Sequence, residues 1–290
     1  MKGLYVALIT PFDENFDIDY ESLNKLLKHL FDSHITGIVV LGSTGENCTI
    51  SEQEKIKIVE YIWHYKLFNK IDKKIVVGIG GNFTKQTIEF GKKIENYCDY
   101  IMITVPHYNK PQQRGIYEHF KIICSNFENK EFILYNIPSR TGVNMTPEYV
   151  SKTFNNIKNI VAIKESSGSL SQIMDIKTLC DINILAGDDS SLISTNSLGG
   201  DGLVSVIGNL IPNALCKLFY CEDKDEQLKL FYNMYDLIKK IFIESNPIPV
   251  KFLLKEINLI NTDKVRLPLV PLSEESKKIL IDSYSIFLNY

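Results

Sequence analysis

Eight short apolar runs rich in valine and isoleucine recur along this chain, each separated from the next by a stretch of helical periodicity. They cover residues 5–10, 37–42, 74–80, 100–106, 132–138, 160–164, 182–187 and 203–207. Near-continuous apolar character marks strands buried on both faces, as in a parallel sheet. The intervening segments carry helix signals. Leu23, Leu26, Leu27 and Leu30 form a helical stripe after Asp19. Ser51 and Glu54 have capping-box spacing ahead of Ile56, Val59, Ile62 and Trp63, and Thr146-Pro147 places a capping residue before a proline at the first helical position. Eight strand–helix alternations predict a (β/α)8 TIM barrel over residues 1–224, a fold that typically takes about 250 residues. Beyond Cys221 the strand signal stops, so residues 225–290 read as a C-terminal helical extension. The rival, a doubly wound open sheet, lacks its fingerprint: no G-x-G-x-x-G follows the first strand, and residues 78–83 break that pattern at the last position.

With 290 residues, 44% hydrophobic and 23% charged, the chain has the make-up of an ordinary globular protein. Its 32 basic and 35 acidic residues leave a net charge of −3, with no footprint for nucleic acid. No apolar stretch approaches the ~20 residues of a membrane span, and the apolar run near the N-terminus is cut short by Pro11, Asp13 and Glu14, which argues against a signal peptide. Six scattered cysteines without a C-x-x-C pair read as reduced thiols, so a cytoplasmic protein is expected. Only Arg114, Arg140 and Arg266 among the 32 cationic residues are arginine. The imbalance is either a preference for lysine codons or a retention of arginine where its bidentate fork, which lysine does not reproduce, is needed, and the three positions are worth following.

In barrels of this type the chemistry sits at the C-terminal ends of the strands. Those ends here carry Thr10, Gly42-Ser43-Thr44-Gly45-Glu46, Gly80-Gly81-Asn82, His107-Tyr108-Asn109, Tyr135-Asn136, Lys164-Glu165, Gly187-Asp188-Asp189 and Ser205. Dispersed histidines without H-E-x-x-H predict no metal site, and Asp188-Asp189 reads as a helix cap. Lys164 closes an apolar run, so its stem emerges from the core. It is either a lysine paired with a carboxylate or a Schiff-base nucleophile, whose amine burial would make available at neutral pH. Tyr135 and Tyr108 are either packing residues or proton shuttles for that amine. The turn at 42–45 either caps a helix or offers N–H groups and two hydroxyls to a carboxylate. Arg140, in a turn just past Tyr135, is either a solvated turn arginine or a bidentate carboxylate clamp, and its place beside a candidate nucleophile favours the clamp. Arg114 and Arg266 read as structural.

Together these segments resemble a known family. Gly42-Ser43-Thr44-Gly45-Glu46, Tyr108-Asn109-Lys110-Pro111, Tyr135-Asn136-Ile137-Pro138-Ser139-Arg140-Thr141-Gly142 and Val161-Ala162-Ile163-Lys164-Glu165-Ser166 occur in order, followed by Asn246-Pro247-Ile248-Pro249-Val250-Lys251 and Val265-Arg266-Leu267-Pro268-Leu269. The chain is similar over its whole length to the dihydrodipicolinate synthase family of pyruvate-dependent class I aldolases. The resemblance implies that Lys164 forms an imine with pyruvate, whose enamine adds to L-aspartate 4-semialdehyde in the diaminopimelate and lysine pathway, with no cofactor. It implies Tyr135 as proton donor and acceptor, with Ser43 and Tyr108 completing the relay, the latter from a neighbouring subunit. Thr44, the main chain near Val204, and Gly187 would hold pyruvate, and Arg140 the semialdehyde's carboxylate. A homodimer would be the minimum working unit and a tetramer the usual one.

Two rivals remain at this stage. N-acetylneuraminate lyase shares Gly42 to Asn47 and would form the same imine, but Arg140 within Ser-Arg-Thr-Gly and the Asn246–Lys251 segment favour the synthase. A barrel that merely binds a keto acid is disfavoured by the presence of Lys164, Tyr135, Tyr108 and Arg140 together. Ser43 stands where the family usually has threonine; the hydroxyl survives on a less restricted rotor. Lysine-inhibited relatives often carry histidine at the positions of Glu52 or Lys55 and tyrosine at that of His107, and Lys55 would meet an effector's ammonium with a like charge. Activity titrated with lysine into the millimolar range is therefore expected to stay nearly constant; strong inhibition would overturn this expectation.

Overall fold

The computed structural model describes residues 1–289. In chain order the elements are β1 (Gly3–Ala7), α1 (Tyr20–Phe31), β2 (Gly37–Val40), α2 (Glu52–Phe68), β3 (Lys74–Gly78), α3 (Thr84–Ile94), β4 (Tyr100–Thr104), α4 (Gln113–Ser125), β5 (Glu131–Asn136), the single turn α5 (Pro138–Thr141), α6 (Pro147–Asn156), β6 (Ile160–Glu165), α7 (Leu170–Leu179), β7 (Asn183–Ala186), α8 (Leu192–Ser197) and β8 (Gly202–Ser205). Helices α9 (Pro212–Phe219), α10 (Lys224–Lys240), α11 (Ile248–Glu256) and α12 (Glu274–Leu288) follow. The strands are ordered β1 to β8 in a closed barrel. The expected (β/α)8 architecture is therefore present, and no strand follows β8 among the described residues.

The eight apolar runs all become strands, but most of the strands stop about two residues short of the run. Thr10, Gly42, Gly80 and Pro106 lie past the last ladder residue, in buried or half-buried connections that remain apolar because they cover the strand ends. β6 does the reverse and continues to Glu165. Strands β2 and β8 are buried at every position, as an internal parallel strand requires.

By packing, the chain divides into two compact units. The first holds residues 1–3 and 56–204. In it β3 to β8 pair in parallel, with Tyr135 opposite Lys164 and Asn136 opposite Glu165 across β5 and β6. Several backbones approach too closely to admit a side chain. A Cβ on Gly80 would lie 2.7 Å from Thr104 Cβ, and one on Gly202 would run into the Gly3 carbonyl. Thr146 precedes Pro147 at the start of α6 as expected, but its side chain makes no capping hydrogen bond; proline's fixed φ starts the helix unaided. Asp188 does cap, its carboxylate accepting from Ser190 N at 3.0 Å. His119, buried in α4, meets Thr84 Oγ1 at 2.9 Å, and burial pushes it down to about 4, so it is neutral.

The second unit holds residues 4–55 and, among the described residues, 205–289. Asp19 caps α1 by accepting from Ser22 N at 3.0 Å, and Leu23, Leu26, Leu27 and Leu30 are all buried. The capping box at α2 forms as expected, with Ser51 N donating to Glu54 Oε2 at 2.8 Å and Glu54 N to Ser51 Oγ at 3.3 Å. From Ile56 onward α2 belongs to the first unit, and its stripe differs in detail from the expected one: Ile58, Val59 and Ile62 are buried, while Ile56 and Trp63 are only half-buried. Arg266 is the main polar stitch of the second unit. It pairs with Glu54, donates from Nη1 to Thr49 O at 2.8 Å and from Nε to Phe16 O at 3.0 Å, and covers the Phe12 ring at 4.5 Å. This bears out its structural reading.

The Arg266 guanidinium holds the Glu54 carboxyl at about 2, against an ordinary 4.5. A depressed carboxyl stabilises the fold fully above its unfolded pKa, and that contribution fades as pH falls from about 4.5 to about 2. Arg266→Gln is expected to lower the urea midpoint at neutral pH. The gap to the unsubstituted protein should narrow between those two pH values, leaving only the part due to the Thr49 and Phe16 carbonyls. A gap that does not change with pH would refute the pairing.

Candidate active site

Lys164 and Tyr135 are neighbours across the β5–β6 ladder, and both are buried. Alternation along a strand sends one residue of each successive pair to one face and the next to the other. Lys164 and Tyr135 thus share a face, with the Lys164 Nζ 4.3 Å from the centroid of the Tyr135 ring. Asn136 and Glu165 take the opposite face. There the Glu165 carboxylate, 5% exposed, accepts from Asn136 Nδ2 at 3.0 Å, Gln172 Nε2 at 2.9 Å and Ser167 N at 2.6 Å. Asn144 joins the cluster, accepting from Asn136 at 2.7 Å and donating to Gln172 at 2.7 Å. These donors are neutral, and together they fix the ends of β5 and β6 and the start of α7.

The same cluster positions the loop that carries Arg140. Met145 N donates to Asn136 Oδ1 at 3.0 Å, and Gln113 of α4 donates to Asn144 O at 2.6 Å. Between these anchors α5 ends in Gly142, whose φ of +74° suits glycine. Arg140 sits on α5 with its side chain exposed and without hydrogen bond or ion pair among the described residues. Tyr108 is tied to the same turn, its N donating to Thr141 O at 3.1 Å, and its ring is 89% exposed.

Gly187, just past β7, has a steric reason to be glycine. A Cβ there would overlap Ser166 Oγ and come within 3.0 Å of Lys164 Cε. The Ser166 hydroxyl is buried beside the lysine stem and has no hydrogen-bond partner among the described residues. Val204 is buried in β8, next to Leu203, which pairs with Ala186 of β7.

Ser43 and Thr44 belong to the other unit, on the turn after β2. The turn is closed by Gly45 N to Gly42 O and Glu46 N to Ser43 O, both 3.1 Å, and Thr10 Oγ1 donates to Gly45 O at 2.8 Å. Leu41 and Glu46, at φ +58° and +53°, bracket it in the left-handed region. Thr44 is buried and accepts from Asn246 Nδ2 at 2.9 Å. Glu46 is buried against Lys251, Nζ to Oε1 2.6 Å. Burial pushes Lys251 down to about 8, the carboxylate opposing the shift.

Residues 1–285 match the dihydrodipicolinate synthetase family. The chain belongs to that family. It is 39% identical to the 4-hydroxy-tetrahydrodipicolinate synthase of Thermosipho africanus, with 97% of each chain covered, and 38% identical to that of Endomicrobium trichonymphae, covering 95% of this chain and 94% of the relative. The crystal structure of dihydrodipicolinate synthase from Aquifex aeolicus superposes with a TM-score of 0.95 at 34% identity, covering 99% of this chain and 98% of that one. The barrel and the family inferred from sequence agree with these matches.

Within the first unit the structure brings Lys164, Tyr135 and Gly187 together and joins the Tyr108 loop to the Arg140 turn; Ser43 and Thr44 share the buried turn of the second. Sequence reading gave no role to Asn144, Gln172 or Ser166, and saw Glu165, Asn246 and Lys251 only as parts of motifs. A charged residue ending an apolar run, as Glu165 does, is the one local signal that pointed to the network. If Lys164 forms the imine that the resemblance implies, Gly187→Ala is expected to abolish it while leaving the protein folded by circular dichroism. Adding Ser166→Ala removes the overlapping hydroxyl and should restore part of that capacity; no recovery would show that the lost space lies elsewhere.

Proposed function

We propose that this chain is a 4-hydroxy-tetrahydrodipicolinate synthase, a lyase that condenses pyruvate with L-aspartate 4-semialdehyde. The observation that carries the reading is Lys164, buried at a strand end over the Tyr135 ring, in a chain matched almost end to end by relatives bearing that name. Lys164 Nζ attacks the ketone carbon of pyruvate, and the carbinolamine loses water to give an iminium. Loss of a methyl proton yields the enamine, whose carbon attacks the semialdehyde's carbonyl; the resulting alkoxide takes up a proton. The substrate's own amine then attacks the iminium carbon, closing the ring and releasing Lys164 as leaving amine. The imine is the electron sink, so the reaction calls for no cofactor and no metal.

Tyr135, beside the amine, moves the protons of dehydration and enamine formation, with Ser43 and Tyr108 as its relay. Thr44 and the main chain at Val204 hold pyruvate's carboxylate, and Gly187 keeps open the space next to Lys164. Arg140, with its guanidinium unpaired, takes the semialdehyde's carboxylate in a bidentate grip. The exposed ring of Tyr108, on a backbone with φ of +64°, supports its use by a neighbouring subunit, so a homodimer is the working unit and a tetramer its usual assembly. The reaction serves diaminopimelate and lysine synthesis in the cytoplasm, in keeping with the absence of any helix long and apolar enough to cross a membrane among the described residues.

Borohydride reduction in the presence of pyruvate is expected to add one pyruvate-derived group to the peptide bearing Lys164, and none in Lys164→Ala. Tyr135→Phe should lower kcat by roughly 10²- to 10⁴-fold, the usual contribution of a positioned proton donor. An unmodified Lys164 in the unsubstituted protein would remove the imine mechanism. Turnover of sialic acid in preference to the semialdehyde would assign the chain to the neuraminate lyases instead.

A further inference from the structure

The turn that carries Ser43 and Thr44 is gripped at two points from residues more than two hundred positions away. Asn246 donates to Thr44 across 202 positions of sequence, and Lys251 pairs with Glu46 across 205. Both ties are buried. They come from one short piece of chain, since Asn246 immediately precedes α11 and Lys251 lies within it.

The first tie has a direction. A hydroxyl has one proton to give and lone pairs to receive with. Thr44 Oγ1 accepts from the Asn246 amide, so its own proton is left to be donated to something else. A hydroxyl held this way donates to an anionic oxygen, and hydrogen bonds to a charged acceptor are about twice as strong as neutral ones.

The second tie fixes the far end of the turn. Lys251 Nζ donates to Glu46 Oε1 and to Lys264 O at 2.6 and 2.7 Å and lies 4.1 Å from the Phe12 ring centroid, while Glu46 Oε2 accepts from Arg266 N at 3.1 Å. Replacing a buried ion pair with apolar residues of similar size is often neutral or stabilising, so fold stability alone does not account for this one. What the pair does supply is a defined position for Glu46, which holds a left-handed φ and donates its N–H to Ser43 O.

We propose that Asn246 is a positioning residue for the substrate's carboxylate, acting through the Thr44 hydroxyl, and that the Lys251–Glu46 pair is the second anchor of the same turn. The proposal rests on the assignment of Thr44 to carboxylate binding. It makes α11 and the residue before it a determinant of pyruvate affinity, although the motif that meets the substrate lies near the N-terminus.

Steady-state kinetics of the full chain test it. Asn246→Ala is expected to raise the pyruvate KM roughly tenfold with little change in kcat at saturation, the size of one hydrogen bond to a charged group. Asn246→Asp, nearly the same shape, should be worse, roughly a hundredfold, because a carboxylate draws the Thr44 proton to itself and repels the substrate's charge. Lys251→Met alone should lower the thermal midpoint; adding Glu46→Gln should restore most of it while the pyruvate KM stays raised. A wild-type pyruvate KM in Asn246→Asp, or a double variant that regains midpoint and KM together, would overturn the proposal. Borohydride trapping at saturating pyruvate separates the two levels. Trapping retained at Lys164 with an unchanged KM refutes the positioning role alone, whereas no trapping in the unsubstituted chain refutes the aldolase reading and this proposal with it.

Discussion

The hydrogen-bonded register between β5 and β6 is the constraint on which the lysine's surroundings depend. Tyr135 faces Lys164 and Asn136 faces Glu165. Because side chains alternate with a period of two, a slip of one residue would turn Lys164 away from the tyrosine and set Glu165 in its place. The register is held on the Glu165 face. A buried carboxylate left without partners costs several kcal/mol, and this one is met by Asn136, Gln172 and the Ser167 N–H, which are available together in this pairing. The polar network on one side of the ladder thus specifies what stands on the other.

Much of the fold was legible because it is local. Continuous Val/Ile runs marked every strand, and the Ser51–Glu54 spacing marked the start of α2. The ends of the strands were less legible, since the residues just beyond them stay buried and apolar for reasons of packing and not of pairing. Thr10 and Gly42 looked like strand residues on that account. Thr146 looked like a cap, but the proline after it already supplies the helical φ.

The site was legible in its proposed nucleophile and not in the residues that support it. Lys164 announced itself as a cation closing an apolar run, and Arg140 as one of three arginines in a lysine-rich chain. Arg266 was recognisable as structural by the same count, and its five-donor fork serves Glu54, Thr49 and Phe16 at once, a task lysine could not perform. Nothing in the structure explains Arg114, exposed in the first turn of α4. Asn144, Gln172 and Asn246 carry no local signal, because each acts by meeting a residue far away in sequence. An amide in a helix or loop has the same appearance whether it faces water or a buried carboxylate.

Part of the backbone strain among the described residues falls beside the proposed site. Leu41, Glu46, Tyr108 and Lys110 all hold left-handed backbones, in the connections that follow β2 and β4. Each costs on the order of 1–2 kcal/mol. The Ser166 hydroxyl, buried without a partner beside the lysine stem, costs about 1–3 kcal/mol more. The strands themselves can offset such costs, since each fully buried valine or isoleucine contributes about 1.5–3 kcal/mol. The distribution has a mechanical consequence. A turn held in an unfavourable conformation keeps it only if its surroundings over-determine it, and the turn at residues 42–46 is held by Thr10, Asn246, Lys251 and the Arg266 N–H together. Those ties are formed on folding, before any substrate arrives, so the ordering of the turn is not charged against binding.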